Sequence, residues 1–369
     1  MRIAILGTKG IPARYGGFET FAEQLAVRLV SRGHAVTVYS ENESSQPRGD
    51  LLFAGVTVRF RRKPAWGPAS VLAYDCACLW DARRDYDLVY MLGYGAAWAC
   101  WLPRFFGIPV WINVDGLEWA RSKWSKVARL YLRTMEWVSS KAATRVIADS
   151  RAIADRFRRY YPSGAPCSYV AYGAEIVADD DADVNALRQW GLIPFQYFIV
   201  VARPEPENHV LEIVEGFLKY SGQWPLIVVG DMSADGPYQR RLQALASERV
   251  CLIGGIYDAA LLQGLRLYAA AYLHGHSVGG TNPSLLEALA CGNWVVAHDN
   301  PFNREVARDA ADYFDTPEQL TFILEERGRL QEEDCLVRRE RSRGIVKSFY
   351  TWEKITDVYE QLMREQCCQ

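Results

Sequence analysis

Two series of short β-rich runs, each run leading through a loop into a helical pattern, set what this chain can fold into. The first series falls at 2–6, 35–40, 56–61, 88–91, 110–114 and 145–148, with a helix over 18–32. Apolar runs of this length alternating with helices are the signature of a doubly wound parallel sheet. The alternation stops at 178–183, ADDDAD, an acidic run without periodicity that reads as a linker or solvated turn. Its Asp-x-Asp spacing would also suit a metal, although loops collect aspartates for turn chemistry. The series then restarts at 197–201, 226–229, 250–253, 270–273 and 294–297, with a helix over 209–220. The expected fold class is α/β: two Rossmann-like, doubly wound domains facing across a cleft, with strand C-termini and helix N-termini toward it. The expected boundaries are 1–175, 176–348 and a terminal helix in 349–369. The mixed-charge stretch 325–343 reads as an exposed helix. In 350–363, Trp352, Ile355, Val358, Tyr359 and Leu362 recur on one helical face, which should pack on the body of the protein.

The bulk numbers narrow the function classes. At 369 residues the chain is long enough for two domains. Lys and Arg number 42 against 44 Asp and Glu, which argues against a nucleic-acid partner. The nine cysteines are odd in number and form no C-x-x-C pair, which reads as free thiols in a reducing cytoplasm. The apolar N-terminal run is too short for a signal peptide. The longest apolar candidate, 93–111, is broken by Pro103, Arg104 and Pro109, short of the roughly 18 to 20 residues that span a bilayer. Twelve Trp and twenty Tyr suit carbohydrate or membrane-edge contact, and also core packing.

The chemistry concentrates in loops at the ends of the β-rich runs. The richest is HGHSVGGTNPSLLEALACG, 274–292. Gly279, Gly280 and Thr281 lead to Asn282, a good N-cap, and to Pro283, suited to the first helical position. Leu285, Leu286, Leu289 and Ala290 then recur at helical spacing. A helix start beside a Gly-Gly turn offers backbone N–H groups and a positive dipole end to a phosphate or a sugar oxygen. Glu287 sits one turn in, out of place in an apolar run unless it meets a ligand or a partner. His274 and His276 flank the loop; two apart after a strand, they should point to opposite sides, and neither has the neighbours of a zinc site. No metal is expected.

In ARPEPENHV, 202–210, Arg203 stands at the end of a strand, where its guanidinium suits a phosphate. Glu205, Glu207 and Asn208 precede the next helix, where capping would also explain the acids. In GTKGIPARYGGFET, 7–20, the spacing does not match G-x-G-x-x-G, so a nicotinamide reading loses ground. What remains is a Gly16-Gly17 turn at a helix start with Lys9 and Arg14 nearby: either a diphosphate cradle or a tight turn. In NVDGLEWARSKW, 113–124, Asp115 and Glu118 follow a strand and could act as a base or hold sugar hydroxyls. The basic amphipathic stretch from Arg121 to Arg133 suits either an anionic membrane surface or a solvated helix face.

Taken together, KGIPARYGGFET, NVDGLEW and HSVGGTNPSLLEA in this order resemble the retaining glycosyltransferases of family 4, with the two-domain GT-B architecture, and within them bacterial polysaccharide rhamnosyltransferases. The resemblance spans nearly the whole chain. It implies a nucleotide sugar on the C-terminal domain, an acceptor on the N-terminal domain, and a last helix, with Trp352, that crosses back to the first domain. It gives Glu287 the second acid of Glu-x7-Glu, on the donor ribose, and Arg203 the diphosphate. Gly16 and Gly17 fall in the loop near the phosphates. The donor set implied is Gly16, Gly17, Arg203, Asn208, His276, Gly279, Gly280, Thr281, Asn282 and Glu287. Catalysis falls to Asp115, Arg203 and Glu287, and the acceptor to Arg14, Asp115 and Glu118. Two positions depart from the pattern. The first acid of Glu-x7-Glu is Gly279, which implies a different sugar such as a deoxysugar, or a changed pattern of contacts. The usual lysine after the arginine is Asn208, so Lys9, Arg14 or backbone N–H groups must neutralise more of the diphosphate.

The implied activity is transfer of a sugar, L-rhamnose from dTDP-rhamnose, to a lipid-linked or oligosaccharide acceptor in polysaccharide synthesis. It needs no cofactor or metal, and places the protein in the cytoplasm, peripheral on the inner face of the membrane. A nucleotide-sugar epimerase of the same architecture would instead turn over the donor without an acceptor. An inactive sugar-nucleotide-binding protein would bind the donor and leave it intact.

Overall fold

The computed structural model describes residues 1–13, 16–41, 49–114, 116–121, 124–179, 184–233, 236–327 and 332–367. It divides into two compact units, one of residues 1–172 with 352–369, the other of 173–351.

The first unit contains β1 (Arg2–Leu6), α1 (Gly17–Ser31), β2 (Ala35–Glu41), β3 (Leu51–Phe53), β4 (Val56–Arg61), α2 (Ser70–Asp81), β5 (Leu88–Leu92) and α3 (Trp101–Phe105). It continues with β6 (Val110–Val114), α4 (Lys126–Ala142), β7 (Arg145–Ala148), α5 (Arg151–Tyr160) and β8 (Cys167–Tyr169). The sheet order is β3-β4-β2-β1-β5-β6-β7-β8, parallel except for β3 against β4. Ile3–Leu6, all of β5 and all of β6 are buried, as expected of strands covered on both faces. The order reverses at β1, between β2 and β5, so the loop from Gly7 leaves at the switch point of the sheet. Gly7 has φ +85, and a Cβ there would lie 2.1 Å from the Leu92 carbonyl oxygen, so only glycine fits this exit.

The second unit contains β9 (Phe198–Val201), α6 (Val210–Leu218), β10 (Leu226–Val229), α7 (Pro237–Gln243), β11 (Val250–Gly254), α8 (Ala259–Leu267) and β12 (Ala271–His274). It continues with α9 (Pro283–Ala290), β13 (Val295–His298), α10 (Pro301–Ala307), β14 (Ala311–Phe314), α11 (Pro317–Arg327) and α12 (Glu332–Phe349). Its sheet, β11-β10-β9-β12-β13-β14, is all parallel, with its switch point between β9 and β12. Phe198, Val200, Ile213, Phe217, Leu273 and Val296 form the heart of its core.

The tail differs from the sequence reading. The stretch expected to be one exposed helix is the end of α11 and most of α12, and α12 is not simply exposed. Ser342 and Arg343 are buried. Ser342 Oγ donates to the Asn293 carbonyl at 2.8 Å. Arg339 and Arg343 both donate to Asp179 Oδ1, at 2.6 and 2.5 Å, and hold that carboxyl down at about 2. Asp179 of the acidic run is therefore an arginine acceptor; 180–183 lie outside the described residues. The chain ends in α13 (Trp352–Cys367), part of the first unit. Trp352, Ile355, Tyr359 and Met363 are its buried stripe. Val358, placed on that face by the sequence, is exposed, because the stripe follows 352, 355, 359 and 363 and leaves 358 about a quarter turn away.

Asp75 on α2 is buried, and burial, with repulsion from Glu41, pushes its carboxyl up to about 7 against the pull of Lys63. A carboxyl raised from 3.8 stabilises the fold only while protonated, so its contribution is lost as pH rises from about 4 to about 7. Asp75→Asn is expected to raise the thermal midpoint by a few degrees at pH 8 and to leave it unchanged at pH 4. Equal effects at both values in a melting series would rule this out.

Candidate functional site

The ends of β9, β12 and β13 bring the second unit's predicted residues together. At the end of β12, Gly275 must be glycine: a Cβ would lie 2.1 Å from the Asn208 carbonyl oxygen of the loop after β9. That loop and the one after β12 are joined again where Ser277 donates from N and Oγ to the Glu207 carbonyl, at 2.9 and 3.1 Å. The side chain of His209 meets Ser277 Oγ at 2.9 Å. Tyr272 on β12 donates to Ser284 Oγ at 3.0 Å, which anchors the start of α9 to the sheet.

α9 begins as the sequence indicates, with Asn282 as N-cap accepting from Ser284 N at 3.0 Å. Its first-turn N–H groups are nonetheless engaged. Pro283 has none, and Leu285 and Leu286 donate to the Asn282 carbonyl at 3.1 and 3.2 Å. An anion at this helix start would therefore meet the dipole end and the loop Gly279–Gly280–Thr281, rather than the helical N–H groups themselves. Gly279 has φ +142 with no atom within 4 Å of a Cβ. Backbone conformation, not lack of space, selects glycine where the resemblance leads one to expect an acid. Gly280 and Thr281 are buried.

After β9, Arg203 is half exposed and lies 3.6 Å from Glu205. Its carbonyl accepts from Asn208 Nδ2 at 2.8 Å. Asn208 is buried, so its amide shapes the loop that carries Arg203 and is not presented outward. Of the donor-contact set that the resemblance implies, Asn208 thus has its amide engaged with the Arg203 loop.

Glu287 has a partner that sequence reasoning missed. Arg266, at the end of α8, donates from Nη2 to Glu287 Oε2 at 2.6 Å. Arg266 is 5% exposed, whereas the Glu287 side chain is 42% exposed. Burial opposes the guanidinium charge, but Glu287, Tyr272 and Cys291 together outweigh it and hold Arg266 above its ordinary value. One edge of Glu287 is thus fixed by a buried cation while part of the side chain reaches solvent. Spacing could not reveal this, because the two residues are twenty-one positions apart on different helices.

Four of the five histidines gather here. The rings of His274 and His276 stack at 4.6 Å and 16°, and those of His209 and His298 at 4.3 Å and 18°. The expectation that His274 and His276 point to opposite sides fails because β12 ends at His274 and the chain turns at Gly275, so strand alternation no longer applies. Asn300 and Asn303 both donate to the His276 carbonyl, at 3.0 and 2.9 Å, and fix the turn. Burial, with His276 and His298 nearby, pushes His274 well below its ordinary value; burial, with His209 nearby, lowers His298. The stacked rings shape the end of the sheet. Among the described residues, no three His, Cys, Asp or Glu side chains are placed to hold a metal.

In the first unit, Gly16 has φ +123 and α1 starts at Gly17. The first-turn acid Glu19 accepts from Lys9 N at 2.9 Å and Thr8 Oγ1 at 3.2 Å, and Glu23 accepts from Ala13 N at 2.6 Å. These acids already place negative charge at the helix start, so the loop is braced internally. Glu118 pairs with Arg121 Nε at 2.8 Å and accepts from Trp124 Nε1 at 3.0 Å. Arg14 and Asp115 lie outside the described residues.

Residues 194–319, which hold this site, match the family model described as glycosyl transferases group 1. Residues 1–175 match a model described as a domain of unknown function, DUF1972. A search of the curated proteins gives no match. Sucrose-phosphate synthase from Thermosynechococcus elongatus is similar in structure, with a TM-score of 0.78, 17% identity, and 100% of this chain and 99% of that chain covered. HepE from Anabaena, solved with UDP and glucose, gives 0.77 at 16% identity, covering 99% of this chain and 100% of that one. The catalytic domain of starch synthase IV from Arabidopsis thaliana, bound to ADP and acarbose, gives 0.77 at 13% identity, covering 100% and 99%. The family match over the second unit and the fold of the whole chain support a GT-B glycosyltransferase.

Proposed function

We propose that the chain is a retaining glycosyltransferase that moves L-rhamnose from dTDP-rhamnose to a lipid-linked or oligosaccharide acceptor in cell-surface polysaccharide synthesis, working in the cytoplasm on the inner face of the membrane. The observation that carries this reading is the junction of Arg203, the loop Gly279–Thr281 and the Arg266–Glu287 pair at the ends of β9 and β12. Similar structures binding UDP with glucose, or ADP, support a nucleotide-sugar donor.

In the transfer, the bond from the anomeric carbon to the diphosphate breaks and its electron pair leaves with the nucleotide. The acceptor oxygen bonds to the same carbon and gives up its proton to an oxygen of the departing diphosphate. Charge grows on the leaving diphosphate, where Arg203, the dipole of α9 and the glycine loop are set in advance. This neutralisation is proposed to need no divalent metal. Glu287, held by Arg266, is assigned to the ribose hydroxyls. His276 and Asn282 shape the loop beside the sugar, and Gly16 and Gly17 are kept as donor-loop candidates. Gly279 offers no carboxylate to the sugar, which suits a deoxysugar with fewer hydroxyls to bind. On the first unit, Arg14, Asp115 and Glu118 are the acceptor candidates.

A thermal-shift series with dTDP-, UDP- and GDP-sugars, followed by transfer assays with a lipid-diphosphate acceptor, tests the reading. The dTDP-sugar is expected to raise the midpoint most, since ligand binding to the native state adds stability. Transfer is expected to persist in EDTA. Stabilisation by none of the donors together with no transfer would overturn the transferase, and donor turnover without acceptor would favour the epimerase.

A further inference from the structure

We propose that the outer face of α3 and α4, with the short 3-10 turn Ala97–Cys100, is a docking surface for an anionic lipid bilayer. The face lies in the first unit and is built from neighbours. Tyr131 of α4 donates to the Gly95 carbonyl at 2.8 Å, and Arg104 of α3 donates to the Lys141 carbonyl at the end of α4 at 2.8 Å. α4 turns Met135, Ser139 and Ala142 inward. Its opposite side is also apolar: Val127 is 80% exposed, Leu130 68%, and Trp137 about half. Beside it Phe105 is 81% exposed, and Trp98 is half exposed. Large apolar side chains on the outward stripe of a helix whose inward stripe already fills the core have no folding role, and together they mark a binding surface.

The charge pattern names the occupant. Of the five cations in residues 97–109 and 126–142, Arg104 is engaged by the carbonyls at the end of α4 and Lys141 by Ser163, so Lys126, Arg129 and Arg133 carry the outward charge against one acid, Glu136. That acid is buried and bound to Arg156 at 2.6 Å, so it does not offset the surface. A second copy on the same face would set like cations against one another across a two-fold axis. An anionic bilayer matches both components: tryptophan and phenylalanine enter the headgroup boundary, and Lys and Arg reach the lipid phosphates. The basic stretch singled out in the sequence, 121–133, is only partly the surface. Arg121 is turned to Glu118, and Arg133 leans over the Trp119 ring at 5.7 Å. The aromatics of 98–106 supply the rest, and no periodicity in the sequence joins them to α4.

The inference rests on the functional reading only in that a lipid-linked acceptor would be reached at a membrane. Among the described residues no helix is long and apolar enough to cross one. The test is sedimentation of the full chain with vesicles of phosphatidylcholine alone and of phosphatidylcholine with 30% phosphatidylglycerol, without any sugar, at two salt concentrations. Binding to the anionic vesicles is expected, with at least tenfold weaker binding to the neutral ones and weakening by salt. Phe105→Ser with Leu130→Ser, and separately Lys126→Glu, should each reduce binding at least tenfold while leaving the thermal midpoint and the donor-induced thermal shift unchanged. Equal binding to both vesicles, wild-type binding by the variants, or a dimer that the double variant abolishes without any vesicle binding would overturn it. Intact vesicle binding with neither donor-induced stabilisation nor transfer sinks the transferase alone; donor-induced stabilisation with no vesicle binding sinks the docking surface alone.

Discussion

Glu287→Ala is expected to lower the stability of the protein by about 3 kcal/mol, in addition to any loss of donor binding, because it strands the Arg266 guanidinium. Arg266 is almost fully buried and Glu287 is the carboxylate on it. Removing one member of such a pair leaves a charge that water cannot reach, which costs more than the pair itself contributes. The double variant Arg266→Met/Glu287→Leu should regain most of that stability, since an apolar pair of similar volume avoids desolvation altogether. It should not regain the nucleotide-induced rise in midpoint. Chemical denaturation of the three proteins, with and without nucleotide, separates the structural from the ligand-binding role of Glu287. Should the double variant be as unstable as Glu287→Ala, the stranded charge is not the cause. Should it bind nucleotide as the parent does, Glu287 has no place on the donor.

Arg203→Ala is expected to reduce transfer about 100-fold, the magnitude that follows loss of one preorganised group aimed at developing charge. Arg203 is half exposed and its ion pair with Glu205 is a loose one, so the fold should hardly notice the change. The loss should fall mainly on kcat if Arg203 acts on the leaving diphosphate, and on KM if it only gathers the donor. Arg203→Lys should recover part of the rate, keeping charge without the fork. Steady-state kinetics with an unchanged melting curve is the measurement. A rate within twofold of the parent would remove Arg203 from the site. Asn208→Ala offers a graded comparison: it frees the Arg203 carbonyl and loosens the loop without removing charge, so a smaller loss is expected.

Much of the framework was legible because parallel strands buried on both faces must be short, apolar and regularly spaced. Residues 2–6, 56–61, 110–114, 145–148 and 226–229 coincide with observed strands. What escaped were elements without such a pattern: the antiparallel edge strand β3, the short β8 and β14, and the division of the charged tail into α11 and α12. The capped start of α9 was equally legible, since Asn282 and Pro283 act on their own next residues. The fate of its N–H groups was not, because the Asn282 carbonyl takes two of them in a geometry that composition does not specify.

The sequence by itself determined the two βα series, the glycine loops at their ends, and the presence of Arg203 just after a strand and of Glu287 one turn into a helix, because strand burial, capping and turn chemistry act over a few residues. Tertiary structure alone decided which distant residues answer one another. It set Arg266 against Glu287, turned Asn208 into the loop of Arg203, stacked four histidines where alternation predicted two opposed ones, and placed the aromatics near Phe105 beside α4. Those pairings depend on the order of strands in a sheet and the hand of its crossovers, which bring together side chains that no local rule relates.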